Sequence, residues 1–317
     1  MLLIDPRKPD KVRVVLDVFG LRKQLLGSLY KRLFLKRLTP SVFSHGGVRG
    51  RSIVSNANAH RASVHVYKAD ISDFFPTIHR QKVYDTIVGK FGCSPDVASI
   101  CTRLCTHNHH LALGLTTSPI LADQIMSRVD ERIGAACKKE GLVYTRFVDD
   151  MTISGSFDLE QSGFINLIAK IVKQDGFEIN ASKNTFGRLS DGLSITSLRI
   201  RKGRLDVRSE YCDEVERQIR DARSLIDTTE NFEGPYFTPT QIFGRVQFVS
   251  TINRGRGYRL LRQYRSVDWS RVVEAAALAG LVVCRIHLVP RNSGSQPIPP
   301  GENLPEIQEK LQKEFDG

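Results

Sequence analysis

The sequence lacks the features that direct a chain to or across a membrane. Residues 1–20 have neither a continuous apolar core nor a small-residue cleavage site, so no signal peptide is expected. The longest apolar run, residues 275–284, is shorter than the roughly 20 residues that a membrane-spanning helix needs. We therefore expect a cytoplasmic protein without a membrane partner.

Cysteine pairs in a C-x-x-C spacing are also absent, although the chain has 6 cysteines. Cys101 and Cys105 are four residues apart and precede His107, His109 and His110. This spacing matches no common zinc site, and cysteines at i and i+4 are more typical of one helix face. The scattered cysteines fit a reducing compartment.

Positive charge is abundant, with 46 Lys+Arg against 34 Asp+Glu and a formal net charge of +12. This balance favours a polyanionic partner, most simply a nucleic acid. A soluble protein that is merely basic is an equal alternative on charge alone.

Hydrophobic periodicity predicts helices and strands in one large domain or in two to three subdomains. Helical patterns cover about residues 10–42, 80–106, 120–139 and 158–174, and most of the chain from residue 209. Strand patterns cover about residues 64–70, 142–154, 177–179 and 194–207. The fold class is therefore α+β. Residues 142–154 are predicted to form one hairpin, and residues 193–207 a second one with Lys202-Gly203 at its turn.

Three carboxylates lie at the ends of these predicted strands. Asp70 ends one strand, and Asp149 and Asp150 occupy the hairpin turn. Nucleotidyl transfer uses two divalent ions about 4 Å apart, held by a few carboxylates. Aspartate is also common in turns, so each acid has a bland explanation. Apolar flanks around the pair favour a metal site, whereas Asp130 and Glu131 lie on a helical pattern and are predicted to form a solvated face.

Five blocks between residues 44 and 200 resemble those of retron-type reverse transcriptases, in the same order. They read HGGVRGRSIVSNANAH, ADISDFFPTI, GLTTSPILAD, FVDDMTISG and FEINASKNT. The resemblance implies a right-hand polymerase, with fingers, a palm of antiparallel sheet plus helices, and a mostly helical thumb. It places fingers and palm in residues 1–205, the thumb in 206–290 and a linker and tail in 291–317.

The same resemblance assigns the site residues. Asp70, Asp149 and Asp150 are implied as catalytic acids that hold two Mg²⁺ ions, with the backbone carbonyl of Ile71 as a further ligand. Contacts to the incoming nucleotide are implied for Arg49, Arg51, Asp73, Phe75, Gly114 and Lys183. Phe75 is expected to exclude a 2′-OH, although a core position beside Phe74 is the alternative. Lys183 is expected to neutralise or protonate pyrophosphate, with an ordinary surface lysine as the alternative.

Nucleic-acid contacts are expected in two places. Asn56 and His60 lie in the first block, where His60 is either structural or in contact with RNA. A basic, aromatic segment in the predicted thumb combines charges that follow phosphates with rings that stack on bases. Its candidates are Arg254, Arg256, Tyr258, Arg259 and Arg262. The alternative for this segment is a solvated basic helix.

Three departures separate the chain from the family pattern. The hairpin reads Phe147-Val148-Asp149-Asp150, with Val148 where the family has alanine. Leu113 replaces a glutamine that donates a hydrogen bond near the nucleotide, which changes the expected fidelity. Residues 195–197 read Ile-Thr-Ser where retron enzymes have Val-Thr-Gly, which weakens the retron subtype more than the polymerase assignment.

The resemblance implies RNA-templated DNA synthesis from deoxynucleoside triphosphates. The retron subtype implies a cognate structured non-coding RNA, priming from an RNA 2′-OH, an RNA–DNA hybrid product (msDNA) and a role in phage defence with an effector protein. The alternatives are another bacterial defence or intron-lineage reverse transcriptase with different priming, and a non-catalytic RNA-binding scaffold.

Overall fold

The computed structural model describes residues 2–5, 8–227, 236–281 and 288–289. Its strands are β1 (Leu2–Asp5), β2 (Lys8–Val14), β3 (His65–Asp70), β4 (Thr106–His107), β5 (His110–Leu111), β6 (Val143–Phe147), β7 (Asp150–Gly155), β8 (Thr185–Arg188), β9 (Ser194–Ile195), β10 (Leu198–Arg201), β11 (Arg204–Val207) and β12 (Leu288–Val289). Its α-helices are α1 (Gly20–Leu29), α2 (Leu35–Arg37), α3 (Ile53–Ala59), α4 (Phe74–Thr77), α5 (Arg80–Phe91), α6 (Pro95–Cys105), α7 (Ser118–Lys139), α8 (Phe164–Gln174), α9 (Ser209–Leu225), α10 (Pro239–Ile252), α11 (Arg254–Arg265) and α12 (Trp269–Leu278). Among the described helices, none is both long and apolar enough to span a membrane.

The chain divides into two compact units. The first consists of the described residues of Met1–Arg37, Phe75–Leu121 and Arg285–Gly317, and the second of those of Leu38–Phe74 and Ala122–Cys284. The predicted boundaries at residues 205 and 290 follow the resemblance rather than this division, and they stay predictions. The tail that was assigned to residues 291–317 lies outside the described residues.

In the first unit, α5 packs against α6, and α1 also contacts α6. A π-helical turn, Tyr30–Phe34, continues α1, and the ring of Phe34 stacks on that of Phe91 at 5.5 Å. The Arg22 guanidinium donates to the carbonyls of Leu104 and Thr106, at 3.1 and 3.0 Å. These bonds fix the end of α6, whose Cys105 is buried and free. Cys101 lies one turn earlier on the same helix and is half-buried, so the two cysteines share a helix face, as their spacing predicted.

A four-stranded antiparallel sheet, in the order β6-β7-β3-β8, is the centre of the second unit. β3 pairs with β7 in the register that sets His65 opposite Gly155 and Asp70 opposite Asp150. Tyr67, Ala69 and Ile153 are buried on one face, and the paired Val66 and Ser154 are buried on the other, so both faces of the central strands contribute to the core. A buried sheet of this kind holds its strand ends in fixed positions, which is what a metal site requires.

A smaller sheet, β11-β10-β9, packs against α3 in the same unit. Lys202 and Gly203 form the β10–β11 turn with φ values of 48° and 71°. Two consecutive residues with positive φ are typical of the tight turn that matches strand twist. The predicted hairpin with Lys202-Gly203 at its turn is therefore confirmed.

The helices α9 to α12 bury their own apolar cluster, whose members include Val215, Ile219, Val246 and Val272. Thr238 begins α10 with a capping box, because its hydroxyl accepts from the Gln241 amide and the Gln241 side chain accepts from the Thr238 amide. Asn253 caps α11 in turn, by accepting from the Arg256 amide. The expectation of a mainly helical region after residue 209 is confirmed for the described part.

Two predicted elements differ from the structure. Residues 8–14 form β2 rather than the start of a helix, and the helix begins only at Gly20. The predicted strand at 177–179 is a single bridge between Ile179 and Ile71. The strand that actually joins the sheet is β8, because Thr185 to Arg188 pair with β3 over four positions.

Candidate metal centre

Three carboxylates converge at one end of β3 and β7. Asp70 is the last residue of β3 and lies directly opposite Asp150, the first residue of β7. Asp149 precedes Asp150 in the tight connection from β6. One ligand oxygen of each of the three acids lies within 4.8 Å of the others. In the described part of the chain this is the one group of three or more potential ligands so arranged.

Backbone hydrogen bonds hold the acids in place. The Ile71 amide donates to the Asp149 carbonyl at 3.0 Å, and the Asn180 amide donates to the Asp70 carbonyl at 2.8 Å. The predicted turn position is corrected by one residue, because Asp150 already pairs with Phe147 as part of β7. The turn therefore consists of Val148 and Asp149. Ile71 itself is buried, and a ligand role for its carbonyl stays a prediction.

The acidic and basic side chains at this site differ in their burial and in their charged neighbours. Partial burial, and then the neighbouring Asp149 and Asp70 carboxylates, raise the pKa of Asp150 to about 6. Lys183 forms an ion pair with Asp70. Lys68, a residue that the sequence reasoning missed, donates to the Ser194 carbonyl at 3.0 Å, and burial lowers its pKa despite the opposing effect of Asp150. Lys183 and Lys68 balance only part of the negative charge of the three carboxylates. A divalent cation bound among the acids would balance more of it.

The donor set fits a hard divalent ion. All three side chains offer carboxylate oxygens, which are the ligands that Mg²⁺ prefers, and they leave room for phosphate oxygens and water. A cavity of about 270 Å³ is lined by Lys68, Asp70, Asp150, Lys183 and Thr196, among others. The site is therefore both open and acidic, as a site for metal and a phosphorylated ligand would be.

Val148 adopts an unusual backbone conformation beside the acids. Its φ is 61°, a region in which a β-branched residue is rarely found. A Cβ atom on Gly46 would lie 2.6 Å from both the backbone nitrogen and Cγ2 of Val148. Gly46 is thus required by the close approach of its loop to the turn. Strained residues of this kind are concentrated at functional sites.

A buried arginine supports the same turn from below. Arg146, which is 1% exposed, donates to Asp123 at 2.9 Å and to Asp130 at 2.8 and 2.9 Å. It also donates to the Val148 carbonyl at 2.8 Å. Burial opposes the charge of Arg146, but Asp130 outweighs that effect and raises the pKa of the guanidinium.

The predicted solvated role of Asp130 is therefore wrong. Its side chain is fully buried and also accepts from the Tyr144 hydroxyl at 2.8 Å. A signal was present in the sequence, since Asp123 and Asp130 are seven residues apart and share a helix face with buried Met126 and Ile133. The arginine partner lies on a strand, and its pairing is visible only in three dimensions.

Asn56 and His60 are not exposed to nucleic acid, which corrects that expectation. Both are 0% exposed. The His60 ring bonds to the hydroxyls of Ser154 at 2.6 Å and Thr145 at 2.7 Å, and burial lowers its pKa to about 3. Asn56 donates to Thr196 at 3.4 Å. His60 was expected either to be structural or to contact RNA. Its ring joins α3 to the β6–β7 hairpin, which supports the structural role.

The two arginines of the Gly-rich loop have different surroundings. Arg51 donates to the carbonyls of Ser41 at 2.6 Å and Val42 at 3.2 Å, and also to that of Ser44. Its guanidinium therefore organises the loop that carries Gly46. Arg49 is exposed, so its predicted contact with a phosphate is sterically open.

Three of the remaining nucleotide-site candidates lie on or near α4 and β5. Asp73 is exposed and has a φ of 40°. Phe74 is buried and packs on Phe177 at 6.0 Å, whereas Phe75 is only partly buried and belongs to the first unit. Gly114, in the same unit, has a φ of 97°, and a Cβ there would lie 2.3 Å from the Leu16 carbonyl oxygen. Their contacts with a nucleotide stay predictions.

The basic helix α11 has one exposed and one engaged face. Arg254, Tyr258 and Arg262 recur every four residues and are exposed, Tyr258 by 70%. Arg256 instead donates to the Val207 carbonyl at 2.9 Å, and Arg259 lies 3.6 Å from Glu216. Arg256 therefore joins α11 to β11, and the exposed residues are the ones available to a ligand.

Comparison with known proteins identifies the class. The signature of the reverse transcriptase (RNA-dependent DNA polymerase) family matches residues 8–219, which include all three acids and the four-stranded sheet. The chain belongs to this family. The predicted α+β right-hand polymerase class is confirmed.

Curated relatives narrow the class further. The chain is 27% identical to the retron Ec86 reverse transcriptase of Escherichia coli over 217 residues, which are 68% of this chain and 67% of the relative. It is 30% identical to the retron Se72 reverse transcriptase of Salmonella heidelberg over 63% of this chain and 54% of the relative. It is 29% identical to the retron Mx65 reverse transcriptase of Myxococcus xanthus over 56% and 46%. The chain thus spans about half to two thirds of the length of these relatives, and the predicted retron-type resemblance is confirmed.

A solved telomerase from Candida albicans, in complex with a fragment of telomeric RNA, is also similar. The similarity covers 82% of this chain and 53% of that one, with 10% identity and a TM-score of 0.40.

Proposed function

We propose that this chain is an RNA-directed DNA polymerase whose active site holds two Mg²⁺ ions on Asp70, Asp149 and Asp150. The observation that supports this proposal is the convergence of three carboxylates within 4.8 Å at paired strand ends, in a chain of the reverse transcriptase family. RNA is the template and deoxynucleoside triphosphates are the substrates. Magnesium is the metal of this proposal, since the carboxylate oxygens of all three donors are ligands that it prefers.

The chain's own residues have separate roles in this proposal. Bound magnesium ions would activate the attacking hydroxyl and stabilise charge on the departing pyrophosphate. Asp70 and Asp149 would hold the ions, with Asp150 as a further ligand. Strand pairing and the amides of Ile71 and Asn180 fix these carboxylates before substrate arrives, so little reorganisation remains to be done at the moment of reaction.

Lys183 is the cation that faces the triphosphate in this proposal. It pairs with Asp70, and its side chain is 41% exposed. When Asp70 binds metal, the Lys183 ammonium is free to turn toward the phosphates and donate a proton or a hydrogen bond to the leaving oxygen. Arg49, which is exposed, and Asp73 extend the nucleotide site.

The direct test is primer extension on an RNA template with the Asp149→Ala, Asp150→Ala double variant. The double variant should lose the several kcal/mol by which bound metal stabilises the transition state, so its extension rate should be about 1000-fold lower. Glu131→Ala with Glu140→Ala is the matched control, because both acids are exposed, Glu131 on α7 and Glu140 in the turn that follows it. RNA binding should remain. Extension by the double variant at the normal rate would refute the metal site, and a wild-type chain that binds RNA without extending a primer would be a scaffold.

Phe75 is proposed to select deoxynucleotides. A ring beneath the sugar clashes with a 2′-OH, so Phe75→Ala should raise ribonucleotide incorporation relative to deoxynucleotide incorporation, by about tenfold or more if one steric clash is relieved. Phe74→Leu is the control, since Phe74 is part of the core. An unchanged preference in Phe75→Ala would return Phe75 to an ordinary packing role.

The retron relatives support a finer proposal. The template is a cognate structured non-coding RNA, synthesis begins at an RNA 2′-OH, the product is an RNA–DNA hybrid, and the system acts in phage defence with an effector protein. The test is to sequence nucleic acid that copurifies with the chain and to treat it with ribonuclease. A DNA strand covalently branched from RNA supports the proposal. Unbranched product would favour another reverse transcriptase lineage with different priming.

A further inference from the structure

A basic groove lies in the second unit, where the turn of β10 and β11 approaches β8 and the segment before β3. Its volume is about 900 Å³, and its basic side chains are Arg61, Arg188, Arg201, Lys202 and Arg204. An adjoining groove of about 450 Å³ shares Arg61, Arg201 and Arg204 and extends to Arg254 at the start of α11. We call these six residues the arginine groove. They come from four separate parts of the sequence and meet only in the fold.

The positive charges of the arginine groove are not compensated by acids. All six side chains are exposed, and among the described residues none of them forms a salt bridge. The acid that lines the groove, Asp206, already accepts from Asn253 at 2.9 Å and lies 3.7 Å from Arg256. Like charges gathered without counterions repel one another, so their arrangement is explained best by an external polyanion.

Arginines elsewhere in the same unit behave differently. Arg217 on α9 pairs with Glu214 at 2.7 Å and with Asp221 at 3.1 Å. Arg199, although it lies on β10 itself, pairs with Glu210 at 3.3 Å. Several surface arginines outside the groove therefore have acidic partners, whereas the six groove residues have none among the described residues. The high net charge alone does not account for that local difference.

The arginine groove is separate from the acids. Ser63 and Val64 line it and immediately precede β3, whereas Asp70 ends β3. Six residues of extended strand between Val64 and Asp70 correspond to about 20 Å. The groove is therefore at the opposite end of the central strand from the metal centre, too far to contact the same phosphate.

The chemistry of the groove favours a nucleic acid whose bases are already paired. No aromatic side chain is among the residues that line its two parts, so it offers no platform on which an unpaired base would stack. Guanidinium and ammonium groups bind phosphate oxygens, and the deep, narrow major groove of an A-form stem keeps its base edges out of their reach. At its other end Arg254 continues into the exposed face of α11, where Tyr258 and Arg262 lie.

We propose that the arginine groove binds the phosphate backbone of a double-stranded RNA stem and holds it outside the polymerase site. The choice of RNA rests on the proposed function, because RNA is the template in that proposal. An A-form stem is recognised by shape and by backbone contacts, and those are the contacts that the groove offers. The stem would be anchored by the groove while an unpaired segment of the same RNA reaches the acids.

The test compares the full chain with a variant carrying Arg61→Gln, Arg201→Gln and Arg204→Gln. Binding to a short fluorescent RNA hairpin is measured by anisotropy from 50 to 300 mM salt. Each lost phosphate contact reduces the slope of log affinity against log salt by about 0.9, so a reduction of about 2 to 3 is expected. Affinity at 150 mM salt should fall at least about tenfold. Extension of a DNA primer on an unstructured RNA template should be unchanged.

The matched control carries Lys138→Gln, Lys139→Gln and Lys173→Gln, which remove three exposed charges from α7 and α8. An equal loss of slope in this control would overturn the proposal, because total charge would then explain binding. A loss that is as large for single-stranded RNA, or for a DNA duplex of the same sequence, would overturn the choice of an RNA stem.

The outcome is separable from the proposed polymerase function. Normal extension together with an unchanged salt slope in the groove variant refutes the groove and leaves the polymerase standing. Absent extension in the wild-type chain, together with a reduced slope in the variant, refutes the polymerase and leaves the groove standing as a site for an RNA stem.

Discussion

Arginine has opposite environments in two regions of the second unit. Arg146 lies fully buried beneath the Val148–Asp149 turn, with two aspartates and a backbone carbonyl as acceptors. The six basic residues of the arginine groove are exposed and form no salt bridge within the described part of the chain. The same chemical group therefore stabilises the fold in one place and is available to a ligand in the other. The first region should respond to mutation and pH, and the second to salt.

The largest effect is expected at the buried arginine. Arg146→Met leaves Asp123 and Asp130 without their cation in the core, which should lower the free energy of unfolding by about 3–5 kcal/mol. Chemical denaturation with urea measures this change. Arg217→Met is the control, since Arg217 is an exposed, paired arginine whose removal should cost at most about 1 kcal/mol.

Combining the change with a second one makes the comparison sharper. Adding Asp130→Leu to Arg146→Met removes one of the two buried carboxylates that have lost their cation, so part of the lost stability should return. The free energy of unfolding of the double variant could instead be lower than that of Arg146→Met by the full cost of a core substitution. That result would show that Arg146 and Asp130 do not stabilise each other, contrary to their short distances.

The next largest effect is expected at the loop that packs on the turn. Gly46→Ala places a Cβ atom 2.6 Å from the backbone nitrogen of Val148, and such overpacking costs about 1–3 kcal/mol. Primer extension should fall with it, because the turn carries Asp149. Gly244→Ala is the matched control on α10, where a Cβ would contact nothing within 4 Å. Equal stability of the two variants would show that the loop yields without displacing the turn.

The pH response should come from His60. Burial lowers its pKa in the folded chain to about 3 from 6.5, so only the unfolded chain takes up the proton as pH falls below 6.5. The free energy of unfolding should therefore fall by about 2 kcal/mol between pH 7 and pH 5 from this residue, and the loss continues until pH 3. Urea unfolding at a series of pH values measures the slope. His60→Asn should flatten it, and an identical slope in that variant would assign the pH dependence to other groups.

The smallest effect on stability, and the clearest on salt, is expected on α11. Arg262→Gln should change the free energy of unfolding by less than about 0.5 kcal/mol, because the side chain is exposed. RNA binding should lose about one unit of salt slope if Arg262 contacts a phosphate. Arg256→Gln is the contrasting variant, since its bond to the Val207 carbonyl predicts a loss of stability instead. Identical behaviour of the two would remove the distinction between the faces of α11.

The sequence predicted what depends on local pattern and order. The two hairpins, the long helix α7 and the position of Asp70 at a strand end follow from alternation, turn residues and block spacing. The partnership of Asp123 and Asp130 with Arg146 was missed because a helix and a strand far apart in sequence supply it. The arginine groove was missed for the same reason, since Arg61, Arg188 and Arg254 are more than 60 residues apart. Asn56 and His60 were misjudged because polar residues that are buried with partners look like surface residues in a sequence.

The pairing of Asp70 with Asp150 also constrains how this hairpin can change over evolution. Side chains on a strand alternate between two faces, so a single residue inserted or deleted between Phe147 and Asp150 would turn every side chain of β7 to the opposite face. Asp150 would leave Asp70, and the buried Met151 and Ile153 would exchange places with their polar neighbours. The turn can therefore accept a replacement such as Val148, but a change in its length would need a compensating bulge to keep Asp150 opposite Asp70.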